Sequence, residues 1–136
     1  MRNLFFFILM CFPLMLLAQH TISVHVHNVP TKNGKVNVAV YNSDEAFLSF
    51  ESVLKTESVP AHEGSVVLKI ANLPAGEYAL AVFHDENDNG KLDTNWLGIP
   101  REKVAFSNAE MKTFGPPKYK ECAFRITSDY EININL

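Results

Sequence analysis

Apolar side chains recur at every second position along most of this chain, the spacing that gathers one set of side chains on a single face of a strand. Ile22, Val24 and Val26 alternate with Ser23, His25 and His27, and Val36, Val38 and Val40 alternate with Asn37, Ala39 and Tyr41. Val66, Leu68 and Ile70 form a third run, Tyr78 to His84 a fourth, Cys122, Phe124 and Ile126 a further one, and Tyr130, Ile132, Ile134 and Leu136 the last. Weaker runs lie at Leu54 to Val59 and Lys103 to Phe106. Turn-forming residues separate consecutive runs: Asn33-Gly34, Glu63-Gly64, Pro74-Ala75-Gly76 and Ser128-Asp129. The only helical signal is short, with Ser43 predicted to cap a turn or two through Phe50. Regular strands with almost no helix predict an all-β fold, a two-sheet antiparallel β-sandwich of immunoglobulin-like or transthyretin-like type with about seven strands. Residues 85 to 119 break the rhythm as one long loop excursion, of the kind that carries function or is held by something other than sheet pairing.

The N-terminus follows another pattern. Arg2 precedes an almost unbroken apolar run from Leu4 to Leu17, and Leu16-Leu17-Ala18 places a small residue where cleavage would fall. This reads as a signal peptide over residues 1–18, cleaved near Ala18, leaving a single domain over 19–136 that is exported to the periplasm or beyond. A retained anchor would need about 18 to 20 apolar residues, and this run is shorter and contains Pro13. Met10 stands before Cys11 where a lipoprotein signal carries a small residue, so lipidation is not expected. Cleavage would leave 118 residues, enough for one core, and would remove Arg2, moving the formal charge from −3 to −4. A mildly acidic chain without clustered bases is not expected to bind nucleic acid, and no basic amphipathic stretch suggests a membrane surface. Cys122 alone would remain, so no intramolecular disulfide is expected, and its place in an alternating run predicts a buried, inert thiol.

The densest chemistry is Asp85-Glu86-Asn87-Asp88-Asn89-Gly90-Lys91-Leu92-Asp93. Oxygen-bearing side chains alternate around a glycine, the spacing by which a loop wraps a calcium ion with hard ligands. Asp85, Asn87, Asn89, the Lys91 carbonyl and Asp93 take the first, third, fifth, seventh and ninth places. Trp96 stands twelfth, where a closing glutamate would be bidentate, so Glu102 is the nearest donor. Few charges predict weak affinity, about 10⁻⁴ to 10⁻³ M, which only an extracytoplasmic site would fill. The competing reading is a metal-free turn in which Asp and Asn cap their own backbone. In either case the role is structural.

Other residues carry weaker signals. His84 beside Asp85 has the makings of general acid–base chemistry, but no nucleophile accompanies it, and its strand position favours a hydrogen-bonded histidine at the edge of the core. His25 and His27 share a strand face without a third metal ligand. Glu51 and Glu57 have no acidic partner for glycosidase chemistry. Trp96-Leu97-Gly98-Ile99-Pro100 sets large apolar groups in a loop, expected to fold down as a lid over the end of the sandwich or, alternatively, to recognise a ligand.

Several motifs occur in a recognisable order: Leu73-Pro74-Ala75-Gly76-Glu77-Tyr78-Ala79, Phe83-His84-Asp85-Glu86-Asn87, Asn89-Gly90-Lys91-Leu92-Asp93, Gly98-Ile99-Pro100 with Glu102, Phe106-Ser107-Asn108 and Gly115-Pro116-Pro117. In this series the chain resembles the bacterial secreted domain of unknown function 2141 (DUF2141), over nearly all of its length after the N-terminal run. The resemblance implies an exported bacterial β-sandwich without an assigned activity, and no catalytic residue carries over because the family has none assigned. Transthyretin-like hydrolases end in Tyr-Arg-Gly-Ser, whereas this chain ends Glu131-Ile132-Asn133-Ile134-Asn135-Leu136. The expectation is therefore a non-catalytic binding or structural envelope module with a calcium-stabilised loop. Trp96, Phe114 and Tyr119 are its candidate surface for a carbohydrate, a peptide or another envelope protein. A small hydrolase using His84 and Asp85, or a metal-free adhesion component, is the alternative.

Overall fold

The computed structural model describes residues 18–136. The expected signal peptide, with Cys11, lies almost wholly outside the described residues. Eight strands follow in order: β1 (Gln19–Val29), β2 (Lys35–Tyr41), β3 (Lys55–Pro60), β4 (Gly64–Pro74), β5 (Gly76–Asp85), β6 (Val104–Phe106), β7 (Phe124–Ile126) and β8 (Tyr130–Asn135). One helical turn, α1, spans Tyr119–Cys122. Among the described residues, no helix is long and apolar enough to cross a membrane.

The strands build two sheets, one ordered β4-β1-β8 and the other β3-β2-β5-β6, with β7 pairing the start of β5. Inward side chains from both form one core that includes Ile22, Val24, Val26, Val36, Val38, Val40, Leu68, Ile70, Leu80, Val82 and Ile126. The expected two-sheet sandwich is therefore present, with one difference. β1 and β8 run parallel, with Ile22 opposite Tyr130 and Val26 opposite Ile134, so the smaller sheet is mixed. A period of two places a residue on a face but is blind to strand direction.

Two local expectations need correction. Cys122 closes α1, and its strand begins only at Phe124; the thiol is nevertheless fully buried. Residues 43–49 make turns without forming an α-helix, although Ser43 Oγ does accept the Ala46 amide at 3.2 Å, and a 3-10 turn follows at Phe50–Ser52. Leu48, with φ of 63°, breaks the helical path.

The second sheet is covered on its outer face as well. Tyr41, Ala79, Ala81 and Phe106 pack there with Ala46, Tyr119 and Cys122 into a second cluster. Phe47 meets Tyr41 edge-on at 5.4 Å and Tyr119 at 5.8 Å, fixing the 42–54 connection and α1 against the sheet. β2 and β5 are thus clothed on both sides. This outer layer is where the excursion lies.

Candidate functional site

Asp85 ends β5 with its side chain 1% exposed. Its Oδ1 accepts the Asn89 amide at 3.1 Å and its Oδ2 the Gly90 amide at 2.7 Å. Asn87 Oδ1 accepts the Asn89 amide at 3.2 Å, and Asn89 Oδ1 accepts the Lys91 amide at 2.9 Å. Asp93 closes the ring, receiving the side-chain amide of Asn87 on Oδ2 at 2.6 Å and that of Asn89 on Oδ1 at 2.9 Å. Glu102 then ties the loop's two ends, its Oε1 accepting the Glu86 amide at 3.1 Å and its Oε2 the Asp93 amide at 3.0 Å. Asp85, Asn87, Asn89 and Asp93 are therefore gathered; Lys91 joins through its amide nitrogen, and Glu102 spends its carboxylate on the backbone. Among the described residues, no three His, Cys, Asp or Glu side chains are grouped as metal ligands.

His84 lies deeper than the core edge expected of it. The imidazole is fully buried opposite Val36, and Nε2 donates to the Asn33 carbonyl at 2.7 Å. Nδ1 has no hydrogen-bond partner and sits 3.7 Å from Glu86 Oε1. His84 and Asp85 are thus both buried. His27 is also engaged, Nδ1 with Ser65 Oγ at 3.1 Å and Nε2 with Asn133 Oδ1 at 2.9 Å, across a solvated strand face.

The excursion's second feature is an apolar cleft of about 540 Å³ on the outer face of the second sheet. Its floor is small: Ala39 and Ala81, directly opposite in register on β2 and β5, leave the space, and Tyr41, Phe83, Val104 and Phe106 surround them. Its rim is made by two tight turns. In the first, Asn95 Oδ1 accepts the amides of Leu97 and Ile99 at 2.9 and 3.0 Å, presenting Leu97 and Ile99. In the second, Lys112 and Gly115 pair backbone to backbone, and Phe114 projects from the tip fully exposed. Phe50 and Met111 complete an exposed apolar margin.

Of the aromatic residues singled out from sequence, Phe114 lines this cleft. Trp96 is 89% exposed and stands outside the lining, so it does not act as a packed lid. Tyr119 does not belong to the surface at all. It is 5% exposed within the second cluster, and burial raises its pKa above that of an ordinary phenol. Ala39, Ala81 and Asn95 were not foreseeable as a group, since their meeting depends on strand register and on a turn.

Lys112 is the one ionisable group on the lining with a formal charge near neutral pH, and both Glu121 oxygens hold its Nζ, at 2.6 and 2.7 Å. That ammonium, with the Lys118 amide, keeps the Glu121 carboxyl below its usual range. On the far side of Thr94 lies a polar recess lined by Glu86, Asp93, Arg101 and Glu102.

The model of a bacterial family described as an uncharacterized protein conserved in bacteria (DUF2141) matches residues 24–134. The chain belongs to that family. The match runs from within β1 to within β8, so the DUF2141 domain is the whole sandwich together with its excursion. Comparison with curated proteins and with solved structures gave no match.

Proposed function

We propose that this DUF2141 protein is an exported, non-catalytic binding module that holds a small apolar ligand in the cleft over the second sheet. The observation that carries this reading is the cleft itself. A recess of about 540 Å³ is of ligand-pocket size, and its margin leaves Phe50, Leu97, Ile99 and Phe114 in water, a cost that an occupant would offset. Carbohydrate suits the lining less well, because Tyr41, Thr94, Lys112 and Thr113 are its only polar side chains. A peptide or envelope protein would engage the same margin through its own apolar groups. Export rests on the apolar run after Arg2.

The Asp85–Asp93 loop serves in this reading as a fixed wall, and calcium is its proposed occupant. The Asn87 and Asn89 side chains already meet the Asp93 carboxylate, which receives two amide hydrogens where a cation would supply charge, and Asp85 is tied to the same loop through the main-chain amides of Asn89 and Gly90. The binding reading is tested by titrating the purified chain with N-phenyl-1-naphthylamine, an uncharged dye that fluoresces in apolar sites. A saturable, one-to-one rise is expected, and Ala81→Leu, which fills the floor, should suppress it. A linear, unsaturable response would reject the reading.

A further inference from the structure

The cleft's charge arrangement defines what kind of apolar molecule it takes. The charged end of Lys112 is held by both oxygens of Glu121, so it has little attraction left for an incoming anion. Beyond Thr94, which borders both spaces, Glu86, Asp93 and Glu102 outnumber the single Arg101. An anionic head on the cleft lining would shed water without gaining a cation free of a carboxylate, and toward the recess it would meet the one guanidinium of Arg101 set among three carboxylates. An uncharged ligand meets neither cost. Resting on the binding reading above, we infer that the cleft selects neutral apolar ligands and rejects anionic amphiphiles of the same shape, with the Lys112–Glu121 pair as the selecting element.

Two dyes with one hydrocarbon skeleton separate the possibilities. N-phenyl-1-naphthylamine is neutral, and 8-anilino-1-naphthalenesulfonate is its sulfonated counterpart. Binding of the neutral dye should be tighter by roughly tenfold or more. Glu121→Gln releases Lys112 and should raise the affinity of the sulfonate relative to the neutral dye by about threefold or more. Equal affinities in the wild type, or a ratio unmoved by Glu121→Gln, would overturn the selectivity while leaving the cleft reading intact. If neither dye binds, or if neutral-dye binding survives both Ala81→Leu and the exposed rim change Leu97→Asp, the cleft reading itself fails. The rim variant guards against Ala81→Leu acting through misfolding, and circular dichroism of each variant shows whether the sheets are retained.

Discussion

Gly34 lies against the main chain of Asp85 so closely that a Cβ built on it would fall 1.8 Å from the Asp85 carbonyl oxygen. The glycine also has φ of +67°, which an L side chain adopts at a cost. Beside it, Asn33 receives the buried His84 imidazole, and Lys35 reaches over to Asp88 at 3.1 Å. The β1–β2 turn thus braces the start of the excursion.

Gly34→Ala should therefore destabilise the fold by about 2 kcal/mol or more, because the neighbouring atoms are backbone and cannot swing away. Gly90→Ala provides the contrast: its φ is +76°, but nothing lies within 4 Å, so only about 1 kcal/mol of backbone strain is expected. Urea unfolding midpoints measure both. Equal losses at the two sites would contradict the brace.

Those two glycines show where sequence pattern stops. Asn33-Gly34 was readable as a turn and Gly90 as the bend of an acidic loop, yet only the folded chain reveals that one is walled in and the other free. The same limit explains the cleft. Alternation along β2 set Val36, Val38 and Val40 on one face and Ala39 on the other, but no periodicity shows that Ala39, Ala81 and Phe106 meet in a second apolar layer on the outer side. The near-continuous apolar run from Tyr78 to Phe83 is the sequence trace of a strand buried on both faces. What covers the outer face, the 42–54 connection and α1, has no period to detect. Within the acidic loop, spacing placed Asp85, Asn87, Asn89 and Asp93 together because local turns dictate it, whereas the use of Glu102 as a two-ended backbone clamp depends on contacts nine and sixteen residues away.

Calcium should raise the melting temperature of the purified chain at millimolar concentration, and a chelator should reverse the gain. Asp93→Asn removes one of the loop's charges and is expected to abolish the calcium-dependent increment while leaving most of the basal stability. Asp85→Ala is a different lesion. Its carboxylate holds two main-chain amides, so its loss should cost about 1.5 to 3 kcal/mol even without calcium. Identical melting of the wild type in chelator and in calcium would leave the loop as a metal-free turn.

Ser107 links three elements from a fully buried position. Its hydroxyl donates to the Cys122 carbonyl at 2.6 Å while Oγ accepts the Leu80 amide at 2.9 Å, joining β5, the end of β6 and α1. Ser107→Ala should cost about 1 to 3 kcal/mol, since a buried amide and a carbonyl both lose their partner. Amide hydrogen exchange at Leu80 is the specific readout. Unchanged protection there would mean that water or another group takes over the serine's role.

Cys122 gives the fold an alkaline weakness whose sign follows from burial. Desolvation pushes its thiol up to about 11, with the nearby Glu121 carboxylate acting in the same direction. The folded chain therefore holds this proton more tightly than the unfolded one, for which an ordinary thiol value near 9.0 applies. The resulting stability is fully present below pH about 9 and is lost as pH rises through about 11. Tyr41, Tyr78 and Tyr119, also raised by burial, act with the same sign. Urea midpoints should fall between pH 8.5 and about 10.5, and Cys122→Ala should reduce the slope without removing the tyrosine share. The native thiol should also react with an aromatic disulfide reagent far more slowly than the unfolded chain. Rapid modification under native conditions would show that α1 opens away from the sheet, exposing the layer on which the cleft is built.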